Sequence, residues 1–138
     1  MATEILVNDG GAPARILPYL AGEAITAGQA VMSSAAANLT VLKATAAKFV
    51  PLGYALTDAA SGNICSVITG KGVILNLQCL PTTAGFPQMI GATAGQLAKA
   101  TAVGAAAGTG PVAIPLKALN DDLGTGVANA GLWRCQTI

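Results

Sequence analysis

The sequence predicts an all-β fold: a small β-barrel or β-sandwich with an extended N-terminal arm and loops rich in alanine and glycine. Two observations lead to this prediction. Short stretches alternate large apolar residues with small or polar ones at the period of a β-strand. Glycine or proline interrupts nearly every window long enough for a helix, since the 138 residues include 17 glycines and 7 prolines.

Eight stretches of the chain have strand character. Pro18 confines the first of them to a sheet edge, because proline has no amide hydrogen to donate. Gly70-Lys71-Gly72 can adopt the positive φ angles of a tight turn, so the two stretches beside it are expected to form a hairpin. The predicted strands are 15–19, 39–43, 52–57, 64–69, 73–80, 96–100, 112–116 and 132–138.

The length is that of one compact domain, and we expect an arm at residues 1–19 followed by a single β domain at 20–138. Ile25-Thr-Ala-Gly-Gln-Ala-Val31 resembles Ala92-Thr-Ala-Gly-Gln-Leu-Ala98. One interpretation is a pair of pseudo-repeated β units, at about 20–80 and 90–138. The other is chance similarity in a chain dominated by two small residue types.

The composition favours burial between subunits. Hydrophobic residues make up 53% of the chain, yet only 4% are aromatic and 9% charged, against a usual charged share of about 25%. Alanine and glycine bury little area each, so a core built largely from them is thin. Contacts with other copies, or with a covering partner, would supply the missing buried area; the alternative is an aggregation-prone surface.

Several classes of partner are not expected. The net charge is +1 and the seven basic residues are scattered, which argues against nucleic-acid binding. The apolar stretches are short, and the N-terminus lacks the pattern of a signal peptide, so neither a membrane span nor secretion is expected. Three widely spaced cysteines indicate reduced, buried thiols and synthesis in a cytoplasm.

The sequence offers little catalytic chemistry. It has no histidine, which removes the commonest general base and most catalytic zinc sites. The adjacent Asp121 and Asp122 read as a turn rather than a calcium loop, which needs oxygen ligands at several fixed positions. Lys71 follows a glycine but lacks the spacing of a phosphate-binding loop. We therefore expect a protein that is not an enzyme, with no catalytic residue, cofactor or metal ligand.

Four segments resemble the capsid decoration (cement) proteins of tailed bacteriophages, over about residues 1–78. They are Met1-Ala-Thr-Glu with Asn8-Asp-Gly-Gly-Ala-Pro-Ala-Arg15, Ala24-Ile-Thr-Ala-Gly-Gln-Ala-Val31, Pro51-Leu-Gly-Tyr-Ala-Leu-Thr-Asp-Ala-Ala-Ser-Gly62 and Cys65-Ser-Val-Ile-Thr-Gly70. The resemblance implies a β-barrel or β-sandwich without an active site. Such a protein would bind the outside of the phage head, often as a trimer, and bridge major capsid protein subunits.

The same resemblance implies a virion location after synthesis in the bacterial host. It also implies an arm that can add a strand to a neighbour. Candidate interface residues are Ile5, Leu6, Val7, Arg15 and Tyr19, of which Tyr19 fits a core position equally well. For Trp133 a core position is favoured over an interface position. The alternatives are a tail or baseplate component, a self-assembling shell subunit, or a small carrier or binding module. A carrier would need a modified Lys71, which lies between glycines instead of the usual apolar neighbours.

Overall fold

A computed structural model of the chain confirms the all-β fold and the predicted barrel. It describes residues 5, 13–45, 51–79, 82–83, 88–90, 94–99, 113–118, 127–128 and 131–137, and this part contains strands and no helix. The strands are Arg15–Ala21 (β1), Ala30–Ser33 (β2), Thr40–Lys43 (β3), Gly53–Ala55 (β4), Ile64–Thr69 (β5), Ile74–Cys79 (β6), Thr82–Thr83 (β7), Gln88–Ile90 (β8), Leu97–Lys99 (β9), Ala113–Ala118 (β10), Val127–Ala128 (β11) and Gly131–Thr137 (β12).

Ten of these strands close into two barrels of five. The order around the first barrel is β1-β3-β2-β4-β5, and around the second it is β6-β9-β8-β10-β12. Each barrel has one parallel pair, β1 with β3 and β6 with β9, and its other pairs are antiparallel. The two barrels therefore share one pairing order. Strands β7 and β11 form a separate two-stranded sheet.

Pro18 fits its strand because one side of β1 is only partly paired. β5 pairs with β1 from Arg15 to Leu20, whereas β3 pairs with it only at Leu20 and Ala21. The missing amide of Pro18 therefore removes no bond from the β3 ladder. Around Pro18, β1 is therefore paired on one side only, as an edge strand would be, although it belongs to a closed barrel.

Alternation along β5 divides its side chains between two cores. Cys65 and Val67 face the interior of the first barrel, in a cluster with Val31 and Val41. Ile68 points outward and packs in a second cluster, which contains the interior residues of the second barrel. One continuous apolar core thus joins the two barrels.

The connection between the barrels corrects the predicted hairpin. Strands β5 and β6 flank Gly70-Lys71-Gly72 but do not pair with each other, because β5 pairs with β1 and β4 while β6 pairs with β12 and β9. Both glycines have positive φ, as expected. Thr137 holds the connection, since its hydroxyl donates to the carbonyl oxygen of Gly70 (2.9 Å) and accepts from the amide of Val73 (3.0 Å).

The repeated sequence motif does not follow the pairing order. Its first copy runs through Gln29 into β2, and its second runs through Gln96 into β9. β2 pairs with two antiparallel neighbours, whereas β9 has one parallel neighbour. The strands group at 15–69 and 74–137, with residues 15–19 inside β1. The division into an arm and repeated units at 20–80 and 90–138 stays a prediction.

Candidate interaction surface

The cysteine and acidic side chains of the described residues are buried or held by structural partners. No group of three or more cysteine, aspartate or glutamate side chains lies close enough there to hold a metal ion. Cys65, Cys79 and Cys135 are buried free thiols. Burial raises the pKa of Cys65, and the pKa of Cys135 is raised by a hydrogen bond with Cys79 together with burial. Such thiols are poor nucleophiles. Asp121 and Asp122 lie outside the described residues.

The carboxylates that the structure describes have structural partners. A Glu23 carboxylate oxygen accepts from the amide of Lys43 (2.8 Å), and the other lies 3.7 Å from the Lys43 ammonium. Asp58 accepts from the amide of Ala27 (2.7 Å). These bonds tie loops of the first barrel together across 20 and 31 residues of sequence. No helix in the described part of the chain is long and apolar enough to cross a membrane.

The outer face of β1 and β5 is unusually apolar. Ile16, Pro18 and Leu20 point outward on β1, opposite Ile68, Ser66 and Ile64 on β5. Ile68 is buried by the second barrel, but the far end of this row is open. The exposed fractions are 46% for Ile16, 40% for Leu20 and 61% for Ile64.

Leu39 extends this row beyond the edge of β1. Its carbonyl oxygen accepts from the amide of Leu20 (2.9 Å), which places the two residues side by side. Leu39 is 68% exposed and has a φ of 51°. A leucine in this left-handed region is uncommon and strained, because its Cβ crowds the backbone. We call Ile16, Pro18, Leu20, Leu39 and Ile64 the apolar stripe.

The loop that presents Leu39 is built by local hydrogen bonds. The Ser34 hydroxyl accepts from the amides of Ala36 (3.1 Å) and Ala37 (3.2 Å), and the Ser34 amide donates to the carbonyl of Thr40 (2.8 Å). The loop therefore forms a short turn between β2 and β3. It overhangs an open cleft of about 430 Å³ that Tyr19 and Leu52 also line.

The apolar stripe is comparable in size to the largest apolar patch of a typical monomeric protein. Its four large side chains together expose roughly 400 Å² of apolar surface, which is within the range of the largest patch on a typical monomer and often functional. This equals about two fully exposed aliphatic side chains, whose burial is worth roughly 3–6 kcal/mol. The described strands β1 and β5 carry one charged residue, Arg15, at the end of the row. A partner at this surface must therefore be apolar.

The structure places the predicted interface residues in different environments. Ile5 is 4% exposed and packs in the core that joins the barrels, and its carbonyl accepts from the amide of Asn76 (2.7 Å). Leu6 and Val7 lie outside the described residues. Arg15 is exposed on β1, and Tyr19 is half-buried beside the first core and lines the cleft. Their role at an interface stays a prediction.

Trp133 is fully buried, in line with the core position favoured from the sequence. Leu20, Leu39 and Ile64, which the structure exposes, are not among the interface residues predicted from the sequence. The sequences of β1 and β5 contain part of the signal for this exposed face, because large apolar residues occupy both faces of these strands. A strand with one wet face normally shows polar residues there.

These features define a class of protein: a two-barrel, all-β chain with an exposed apolar stripe and no metal-binding cluster among its described residues. No family model matches the chain, and no curated protein sequence matches it. Its fold is similar to that of a solved structure, the head fiber gp8.5 N base in bacteriophage phi29, with a TM-score of 0.66 and 10% sequence identity. The similarity covers 91% of this chain and 95% of that one. At this identity the likeness shows the fold.

Proposed function

We propose that this chain is a structural protein of a tailed-phage virion that binds the outer surface of the head and stabilises the shell by bridging major capsid protein subunits. The observation that carries the proposal is the fold shared with a phage head fiber base over nearly the full length of both chains. The sequence resemblance of residues 1–78 to capsid decoration proteins supports it independently.

The proposed mechanism is mechanical rather than catalytic. Each copy contributes apolar surface, and many copies on one regular shell convert weak single contacts into strong total attachment. The chain would be made in the host cytoplasm, which agrees with three free cysteines. It would act as a homo-oligomer, for which the resemblance favours a trimer, without nucleic acid, membrane or cofactor.

Co-sedimentation with purified heads that lack this protein tests the proposal. We expect saturable binding, with a fixed number of copies per head and greater resistance of the heads to heat. Heads that already carry the protein are the control and should bind little more. Failure to co-sediment at high protein concentration would contradict the proposal.

A second candidate is the base of a head fiber, which the similarity to the phi29 head fiber base favours. In this case the chain would anchor a longer projection, and heads from the native phage would show fibers at the binding positions. A decoration protein would leave only low, regular density there. Imaging of native virions therefore distinguishes the two.

A further inference from the structure

We propose that the apolar stripe is the contact surface for a second copy of this chain. The inference rests on the proposed function for its setting on the phage head. It assigns the stripe to contacts between copies, and leaves other surfaces for the capsid protein.

The first support is continuity with a contact that the chain already makes. Ile68 and Ile64 lie in one outward row of β5, separated by Ser66. Ile68 is buried in the core shared with the second barrel, whereas Ile64 is open. This sheet face thus already packs against one barrel of this chain. Its exposed end offers the same kind of surface to a barrel of another copy.

The second support is the pairing of β1 with β5. β1 and β5 pair with each other from Arg15 to Leu20, so the outer face between them presents side chains and not backbone groups. The large apolar side chains of the stripe are Ile16, Leu20, Leu39 and Ile64. The left-handed backbone of Leu39 fits this role, because strained residues concentrate at binding sites.

Charge and area support a second copy as the occupant. The stripe contains no charged residue, and only 9% of the chain is charged, so another copy offers a similarly uncharged surface. Two stripes facing each other, with the rim of the neighbouring cleft, would bury roughly 1,000 Å², which is the size of weak, transient interfaces. We therefore expect weak, reversible association that a head lattice would strengthen.

Sedimentation equilibrium of the purified protein without heads tests this inference. Wild type should show a mass that rises with concentration. Ile64→Lys adds a charge to the stripe and should weaken association by about tenfold or more. Leu39→Asn removes apolar surface while suiting the left-handed backbone, so it should weaken association without loss of thermal stability. Gln136→Lys, an exposed strand position on the second barrel, is the matched control and should associate as wild type does.

Three results would overturn the inference: a monomeric wild type at all concentrations, an Ile64→Lys variant that associates normally, or a Gln136→Lys variant that is equally impaired. Head binding separates this inference from the proposed function. A monomeric protein that still decorates heads contradicts the stripe assignment and the homo-oligomer, but not the proposed attachment to the head. An oligomer that depends on the stripe but never binds heads contradicts only the proposed function.

Discussion

Leu20 and Ile64 lie directly opposite each other across the β1–β5 pairing, and both side chains point into solvent. Two large aliphatic residues paired in this way would normally cover a core. Here the cores lie elsewhere, inside the first barrel and between the two barrels. The pair therefore marks the outer face of β1 and β5 as a surface that gains from a partner.

The position of Ile5 leads to a stability prediction. Ile5→Ala removes a buried side chain from the core that joins the barrels, and should lower the free energy of unfolding by about 2–4 kcal/mol. Chemical denaturation followed by the fluorescence of Trp133, the single tryptophan, measures this. Ile16→Ala is the matched control, because Ile16 is exposed, and should cost less than about 1 kcal/mol. Equal effects would show that Ile5 is not held in the core of the isolated protein.

Gly53 is predicted to tolerate no side chain. A Cβ at this position would lie 2.6 Å from Val67 Cγ1 and closer still to the carbonyl oxygen of Ile68. Gly53→Ala should therefore destabilise the first barrel by about 1–3 kcal/mol through overpacking. The control is Gly22→Ala, whose nearest obstacle is the movable end of the Leu42 side chain. A Gly53→Ala protein with the wild-type melting temperature would contradict the close approach of β4 and β5.

Thr137 is predicted to fix the connection between the barrels. Thr137→Val keeps the shape but removes the hydroxyl that bonds Gly70 and Val73. This substitution should lower the free energy of unfolding by about 1–3 kcal/mol, because the buried Val73 amide loses the hydroxyl oxygen to which it donates. Hydrogen exchange should show faster exchange at residues 70–73. Thr57→Val, at an exposed loop position, should change neither measurement.

Alkaline pH should destabilise the fold. Burial, with a smaller effect of the Cys135 and Cys79 thiols, raises the pKa of Tyr54 well above its ordinary value of 10.0. The neutral phenol therefore stabilises the folded state fully below about pH 10, and this contribution is lost as the pH rises toward the folded-state pKa. The raised pKa of Cys65 acts in the same direction from pH 9.0 upward.

Unfolding midpoints measured between pH 7 and pH 11 test this prediction. Wild type should lose stability above pH 9–10, and Tyr54→Phe should lose less over the same range because the phenol is gone. Between pH 7 and pH 8 the difference between the two proteins should stay constant, which serves as the internal control. Identical alkaline slopes would contradict the burial of an ionisable Tyr54.

The sequence was sufficient to predict the fold class and most long strands, because alternation is a local property. β5 matches its predicted bounds, and β1, β3 and β6 lie within two residues of theirs. The error at Gly70-Lys71-Gly72 has a physical cause: positive φ at two glycines permits a hairpin but does not choose the partner strand. The partner of β6 is β12, more than 50 residues later. The register between β6 and β12 depends on long-range packing, which a local sequence pattern does not predict.

The interaction surface was harder to predict for a related reason. Ile64 and Ile68 are the same residue type on the same face of one strand, yet one is exposed and the other buried. Their difference comes from the second barrel, which covers one end of the row only. Ile5 packs within the chain, in the core that joins the barrels, and its predicted role at an interface stays a prediction.

The central claim is tested most directly by electron cryomicroscopy of phage heads that lack this protein, incubated with the purified chain. We expect ordered density at regular lattice positions on the outer surface, into which two adjacent five-stranded barrels fit, in contact with more than one capsid subunit. Heads that remain bare under saturating protein, or that carry it only at the tail vertex, would contradict the proposed function.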